Sequence, residues 1–163
     1  ESELSVRFLR QRTKSAKMVF MVDSGSDTVF IEATAERCFD VASGFEQYPE
    51  WAQDVKEATV LTRDAQGRPN TVEYRASALG RSTHYTLEYD YSKAPHALSW
   101  HLVDGDIMRS LRGAYSFNAD GTGTRVAYDL AVELVLPLPG FVKRRAEMRI
   151  LSTLKELKSR SES

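Results

Sequence analysis

Between residues 56 and 136, apolar and polar side chains alternate with a period of two, in runs separated by turn-forming residues. In 71–78, Val72, Tyr74, Ala76 and Ala78 share a face opposite Glu73, Arg75 and Ser77. In 83–91, Tyr85, Leu87, Tyr89 and Tyr91 oppose His84, Thr86, Glu88 and Asp90. Leu98, Trp100 and Leu102 oppose Ser99 and His101, and Leu111, Gly113, Tyr115 and Phe117 oppose Ser110, Arg112, Ala114 and Ser116. In 124–136, Val126, Tyr128, Leu130, Val132, Leu134 and Leu136 oppose Asp129 and Glu133. Successive strand residues point to opposite faces, so these runs, with 56–62 before them, predict six antiparallel strands with one wet face. Residues 28–33 predict one more strand ahead of them. The turns between runs are rich in Gly, Pro, Asn and Asp, as at 64–69, 92–95 and 118–123.

Two stretches break the alternation. After the first strand, Cys38, Phe39, Val41 and Ala42 cluster at helical spacing. Thr34 stands as N-cap, Glu36 in the first turn and Gly44 past the end. Residues 45–53, with Pro49 inside, predict a second short helix. From 141 onwards Phe141, Val142, Ala146, Ile150, Leu154 and Leu157 recur every three or four residues among Lys and Arg. That is a long amphipathic helix over about 141–158, and only the inner face of the sheet offers it an apolar partner. The expectation is an α+β fold. A bent seven-stranded antiparallel sheet wraps a long C-terminal helix, with two short helices after the first strand. One helix cannot fill such a sheet, so an apolar cavity is expected between them.

Length and composition agree with a single soluble domain. The chain has 163 residues, 42% hydrophobic and 28% charged, and one cysteine, Cys38. An intrachain disulfide and a Cys-based zinc site are thereby excluded. The net charge of −1 argues against a nucleic-acid partner. It hides a gradient, though: residues 1–22 carry +3, 23–139 carry −8 and 140–163 carry +4. The basic ends, above all Lys143, Arg144, Arg145 and Arg149, suggest a docking face for an acidic carrier protein or an anionic membrane surface. Arg7 to Lys17 precede an apolar run of only five residues, 18–22, too short for a secretory signal or a membrane span. A cytoplasmic protein is expected, with residues 1–26 as an N-terminal extension to a domain over 27–163.

Several phrases carry a family resemblance. They are Phe45-Glu-Gln-Tyr48-Pro49-Glu-Trp51 after the first helix, Trp100 in Leu-Ser-Trp-His-Leu, and Gly113-Ala-Tyr115-Ser-Phe117. Gly123-Thr-Arg-Val126 and Leu136-Pro-Leu-Pro139-Gly-Phe141 followed by Lys143-Arg-Arg also fit. With the element order, they resemble the START/Bet v 1-like (SRPBCC) superfamily, in its polyketide cyclase/dehydrase and lipid transport branch. The resemblance spans about residues 27–160. It implies a helix-grip fold with a hydrophobic cavity, and no single reaction.

The inward phase assigns candidate ligand-binding residues: Tyr74, Tyr85, Tyr89, Trp100, Tyr115 and Tyr128 on the strands, with Met148 from the helix. Aromatic rings stack on polycyclic or isoprenoid ligands, and buried tyrosine hydroxyls need partners that a ligand can supply. Arg109 shares phase with Leu111 and is the candidate for an anionic ligand group at the cavity mouth. No catalytic residue or metal ligand is assigned and no cofactor is implied. His84 and His101 fall on the polar face, His96 falls in a turn, and the strand carboxylates point outwards. Cys38 reads as a small buried hydrophobe. The expected function is binding or transport of a small hydrophobic ligand such as a lipid, isoprenoid or polyketide. The alternatives are a polyketide cyclase/aromatase, with Arg109 and Tyr115 as its best set, and a toxin-like or stress-type interaction module.

Overall fold

The computed structural model describes residues 7–13, 16–78, 80–135 and 145–163, with side chains described from residue 24 onwards except at 78 and 145–148. Eight strands form one antiparallel sheet in the order β1-β2-β8-β7-β6-β5-β4-β3. They are β1 (Arg7–Thr13), β2 (Ala16–Ile31), β3 (Val55–Arg63), β4 (Pro69–Ala78), β5 (Arg81–Asp90), β6 (Ala97–Gly105), β7 (Met108–Asp120) and β8 (Gly123–Leu134). Between β2 and β3 lie α1 (Ala35–Ser43), a 3-10 turn (Phe45–Gln47) and α2 (Tyr48–Trp51). The chain finishes on α3 (Arg145–Glu162). Strands β2 to β8 are the seven expected, and they are joined edge to edge through β2 and β8.

The N-terminal part differs from expectation in length. The strand expected over 28–33 begins at Ala16, and its pairing with β8 runs from Met21↔Leu134 to Ile31↔Thr124. It therefore passes straight through residues 26 and 27, and β1 pairs with its first half. The polar stretch 23–27 reads as a loop by composition. Here the unpaired edge of β8 supplies backbone partners, and ladder hydrogen bonds outweigh weak local propensity.

Inward side chains follow the alternation. Val72, Tyr74, Ala76, Leu87, Leu98, Phe117, Val126 and Leu130 are buried, while Val132, expected to be deep, is only half-buried near the end of β8. Bulges interrupt the register in β3, β4, β6 and β7. Each bends its strand and strengthens the local twist, which is how the sheet curls. The hairpin β7–β8 closes tightly on Gly121, whose φ of +61° suits glycine. Gly44 caps α1 at φ −83°, with no left-handed backbone.

Helix α3 buries Ile150, Leu154, Leu157 and Ser161, a stripe at helical spacing. It packs mainly on β2, β8 and α1. Its far end is fastened by polar ties. Arg37 Nη2 donates to the Arg160 carbonyl at 3.3 Å and Arg37 Nε to that of Ser161 at 3.4 Å. A cation on the last carbonyls of a helix complements its dipole. Lys158 Nζ donates to the Phe30 carbonyl, and the Glu32 amide donates to Glu162. Thr34 caps α1 as expected, accepting from the Arg37 amide at 3.1 Å. The part of the predicted helix over 141–144 lies outside the described residues.

Candidate functional site

The concave face of β4 to β8 carries one continuous aromatic cluster. Phe45 stacks on Tyr89 with centroids 3.9 Å apart, and Tyr74 stacks on Tyr85 at 5.3 Å. Trp100 touches Tyr89, Tyr115 and Tyr128 at 6.0, 5.1 and 5.8 Å, and Tyr115 stacks on Tyr128 at 4.7 Å. Tyr48 and Trp51 of α2 continue the cluster at one end, with their rings 4.9 Å apart. All six aromatic candidates, Tyr74, Tyr85, Tyr89, Trp100, Tyr115 and Tyr128, thus meet in one place. None exceeds 8% exposure.

Trp100 lies flat on Gly113, the residue paired with it across β6 and β7. A Cβ there would stand 2.3 Å from the indole carbons Cε2 and Cζ2. The small residue at 113 therefore accommodates a ring. The room left by the missing side chain is taken up by the indole.

The two ends of the cluster differ in polarity. At the α2 end the hydroxyls satisfy one another: Tyr74 and Tyr89 share a hydrogen bond of 2.5 Å, and Tyr48 donates to the Ala42 carbonyl. At the other end, the Tyr115 and Tyr128 hydroxyls have no hydrogen-bond partner among the described residues. Among those residues the one fully enclosed side-chain polar atom without a partner is Ser161 Oγ. The two tyrosine hydroxyls lie on residues only 4% and 6% exposed. Buried polar groups without partners are costly, so such a pair invites water or a ligand.

Arg149 of α3 faces this end. The sequence places it with Lys143, Arg144 and Arg145 on a basic docking face, and only its position one residue before Ile150 hints at contact with the sheet. Its guanidinium approaches the Tyr85 hydroxyl and Tyr128, and lies 3.7 Å from the Asp54 carboxylate. Burial works against its charge, but Tyr85, Tyr128, Asp54 and Glu156 around it outweigh that and hold it protonated. Glu156 accepts from the Gln53 amide at 3.2 Å and from Ser152 Oγ at 3.4 Å, and burial pushes its carboxyl up. Burial likewise pushes the hydroxyls of Tyr48, Tyr74, Tyr85, Tyr89 and Tyr115 up, and that of Tyr128 to about 12. At neutral pH these groups donate hydrogen bonds and do not act as bases.

Arg109 is not brought to the cluster. The register of β7 shifts between Met108 and Ser110, so Arg109 is the extra residue of a bulge and loses the phase of Leu111. It is exposed, 3.8 Å from Glu133. The cyclase pair of Arg109 with Tyr115 is accordingly not assembled. Met148 lies in α3, with its side chain outside the described ones. Lys143 and Arg144 lie outside the described residues. Two further helix cations are engaged, Arg160 with Glu50 at 2.7 Å and Lys158 with Glu162 at 2.5 Å, while Lys155 is exposed and the Arg145 side chain lies outside the described ones. His84, His96 and His101 are exposed, with His101 3.6 Å from Glu88. Cys38 is fully buried, and burial raises its thiol. Among the described residues no three His, Cys, Asp or Glu side chains gather as a metal site. None of their helices is long and apolar enough to cross a membrane. A separate groove of about 750 Å³ lies on the outer face, lined by polar groups including Arg68, Glu88, Asp90, His101 and Arg112.

Comparison with known proteins gives the family. Residues 24–162 match the family described as polyketide cyclase / dehydrase and lipid transport. A START superfamily protein from Mycobacterium smegmatis is 30% identical, with a TM-score of 0.79 over 85% of this chain and 97% of that one. A Thermus thermophilus protein is 21% identical, with a TM-score of 0.68 over 85% and 92%. The Zhui aromatase/cyclase from a Streptomyces species is 14% identical, also at 0.68, over 86% and 94%, and shares the fold. No curated protein matches the chain. The chain belongs to the polyketide cyclase/dehydrase and lipid transport family of the START (SRPBCC) superfamily.

Proposed function

We propose that the protein binds or carries a small hydrophobic ligand, of lipid, isoprenoid or polyketide type, between α3 and the aromatic inner face of β4 to β8. The observation that carries the reading is the pair of buried hydroxyls, Tyr115 and Tyr128, without a hydrogen-bond partner among the described residues, at one end of a buried aromatic wall. Trp100 and Tyr115 supply flat apolar area, and the tyrosine hydroxyls supply a few convergent donors. That is the usual make-up of a small-molecule site. The family's lipid-transport description points the same way. Native mass spectrometry of the purified protein tests it. A stoichiometric adduct that is lost on delipidation is expected. A protein that is bare as purified and takes up none of the three ligand types overturns the reading.

A cyclase/aromatase reading has one observation in its favour. Glu156 is a carboxyl on the inner side, its proton affinity raised by burial, and it lies near enough to Tyr115 to bear on its ionisation. A carboxyl whose proton affinity burial raises is better suited to donate and recover a proton than an ordinary exposed one. The test is turnover of a poly-β-ketone substrate, with Glu156→Gln abolishing it. Turnover unaffected by that change refutes this role.

A further inference from the structure

The polar end of the aromatic cluster has a property that simple apolar binding does not use. A guanidinium presents five N–H donors in a planar fork and cannot shed its proton. Among the described residues, Arg149 has few acceptors for that fork. Asp54 stands at 3.7 Å, beyond the roughly 2.7–2.9 Å of a charge-assisted hydrogen bond, and its side chain is 54% exposed. The Glu156 carboxylate is occupied by the Gln53 amide and Ser152. Tyr85 is the hydroxyl in reach, and the Tyr128 hydroxyl beside it is unpartnered.

Resting on the ligand-binding reading above, we propose that Arg149, with Tyr85 and Tyr128, receives the carboxylate of an amphipathic ligand whose apolar body lies along Trp100 and Tyr115, and that Asp54 is the counter-ion this carboxylate displaces. The arrangement suits a carboxylate for three reasons. Its two oxygens match the fork in a bidentate pair. The two tyrosine hydroxyls donate to the outer lone pairs, as protonated phenols do. Asp54 is more than half exposed, so it returns to water at small cost when displaced. A neutral alcohol would leave the half-enclosed guanidinium with no anion closer than Asp54.

The test uses matched probes on the intact chain: dodecanoate against 1-dodecanol, and naphthalene-2-carboxylate against 2-naphthylmethanol. Binding is read by calorimetry and by Trp100 emission in a Trp51→Phe background. The expected result is a preference for the acid of each pair. Arg149→Met weakens acid binding roughly 10- to 100-fold, the loss expected for hydrogen bonds to a charged group, and leaves the alcohols within about 3-fold. Asp54→Asn tightens acid binding several-fold. This exposed turn position also serves as the second variant if Arg149→Met does not fold by circular dichroism. Equal binding of acid and alcohol, or equal losses for both in Arg149→Met, overturns the carboxylate assignment while the cavity reading stands. Asp54→Asn leaving acid binding unchanged overturns the role of Asp54. Failure of all four probes overturns both.

Discussion

The contact between Gly113 and Trp100 makes the most exacting prediction about the aromatic wall. Replacing Gly113 by Ala sets a methyl 2.3 Å from the indole ring, whereas carbon atoms rest about 3.5–4.0 Å apart. The indole must retreat by roughly 1.2–1.7 Å to restore that spacing. Tyr89, Tyr115 and Tyr128 hem it in at centroid distances of 6.0, 5.1 and 5.8 Å. Overpacking of this kind costs about 1–3 kcal/mol, and each disturbed ring pair contributes about 0.5–1.5 kcal/mol. A loss of about 2–3 kcal/mol in urea unfolding is therefore expected, with altered near-ultraviolet dichroism. Trp100→Phe should relieve the clash, so Gly113→Ala in that background should cost at least about 1 kcal/mol less. If Gly113→Ala costs under about 0.5 kcal/mol and leaves the aromatic dichroism unchanged, the indole does not lie on Gly113 and the reasoning fails.

Other predictions follow from the same packing. Leu154→Ala should cost about 2–5 kcal/mol in denaturant unfolding, because Leu154 is 2% exposed in the docked stripe of α3; a change below about 1 kcal/mol would mean the helix is not seated. Tyr74→Phe alone should cost about 1–3 kcal/mol by orphaning the Tyr89 hydroxyl, while the double change Tyr74→Phe, Tyr89→Phe recovers part of it; strictly additive losses would show that the hydroxyls are not paired. All seven tyrosines have raised values, with Tyr91 and Tyr128 at about 12. An acid whose folded value lies above the unfolded value of about 10 stabilises the fold below pH 10 and loses that contribution as pH rises towards 12. Tyrosinate absorbance should then appear only together with alkaline unfolding, and a tyrosine titrating near pH 10 in folded protein would contradict the burial.

The strand faces were legible because alternation is a direct record of which side is wet. Tyr74, Tyr85, Tyr89, Trp100, Tyr115 and Tyr128 were found by phase alone, and all are buried together. Arg109 was misplaced because a bulge shifts the phase by one residue, and nothing in Met108-Arg109-Ser110 marks where a bulge forms. Arg149 was invisible for another reason. On an amphipathic helix a cation beside the apolar stripe reads as solvated, and only the curvature of the sheet decides whether it meets water or Tyr85. The length of β2 was hidden by its polar composition at 23–27, since what pairs it is the backbone edge of β8. Gly113 offered its small size to the sequence reader. Whether that size leaves a void or admits a ring depends on the cross-strand partner.

The central claim is that the aromatic wall borders a space that takes a ligand. Its most direct test is titration of the Trp51→Phe protein with a fatty acid, an isoprenoid quinone and an aromatic polyketide, following Trp100 emission. A saturable one-to-one change with at least one of them is predicted, weakened when Tyr115 and Tyr128 are both replaced by Phe. If none of the three alters the emission, and a ligand-soaked crystal structure shows the region beside Tyr115 and Tyr128 filled by side chains, the claim is contradicted.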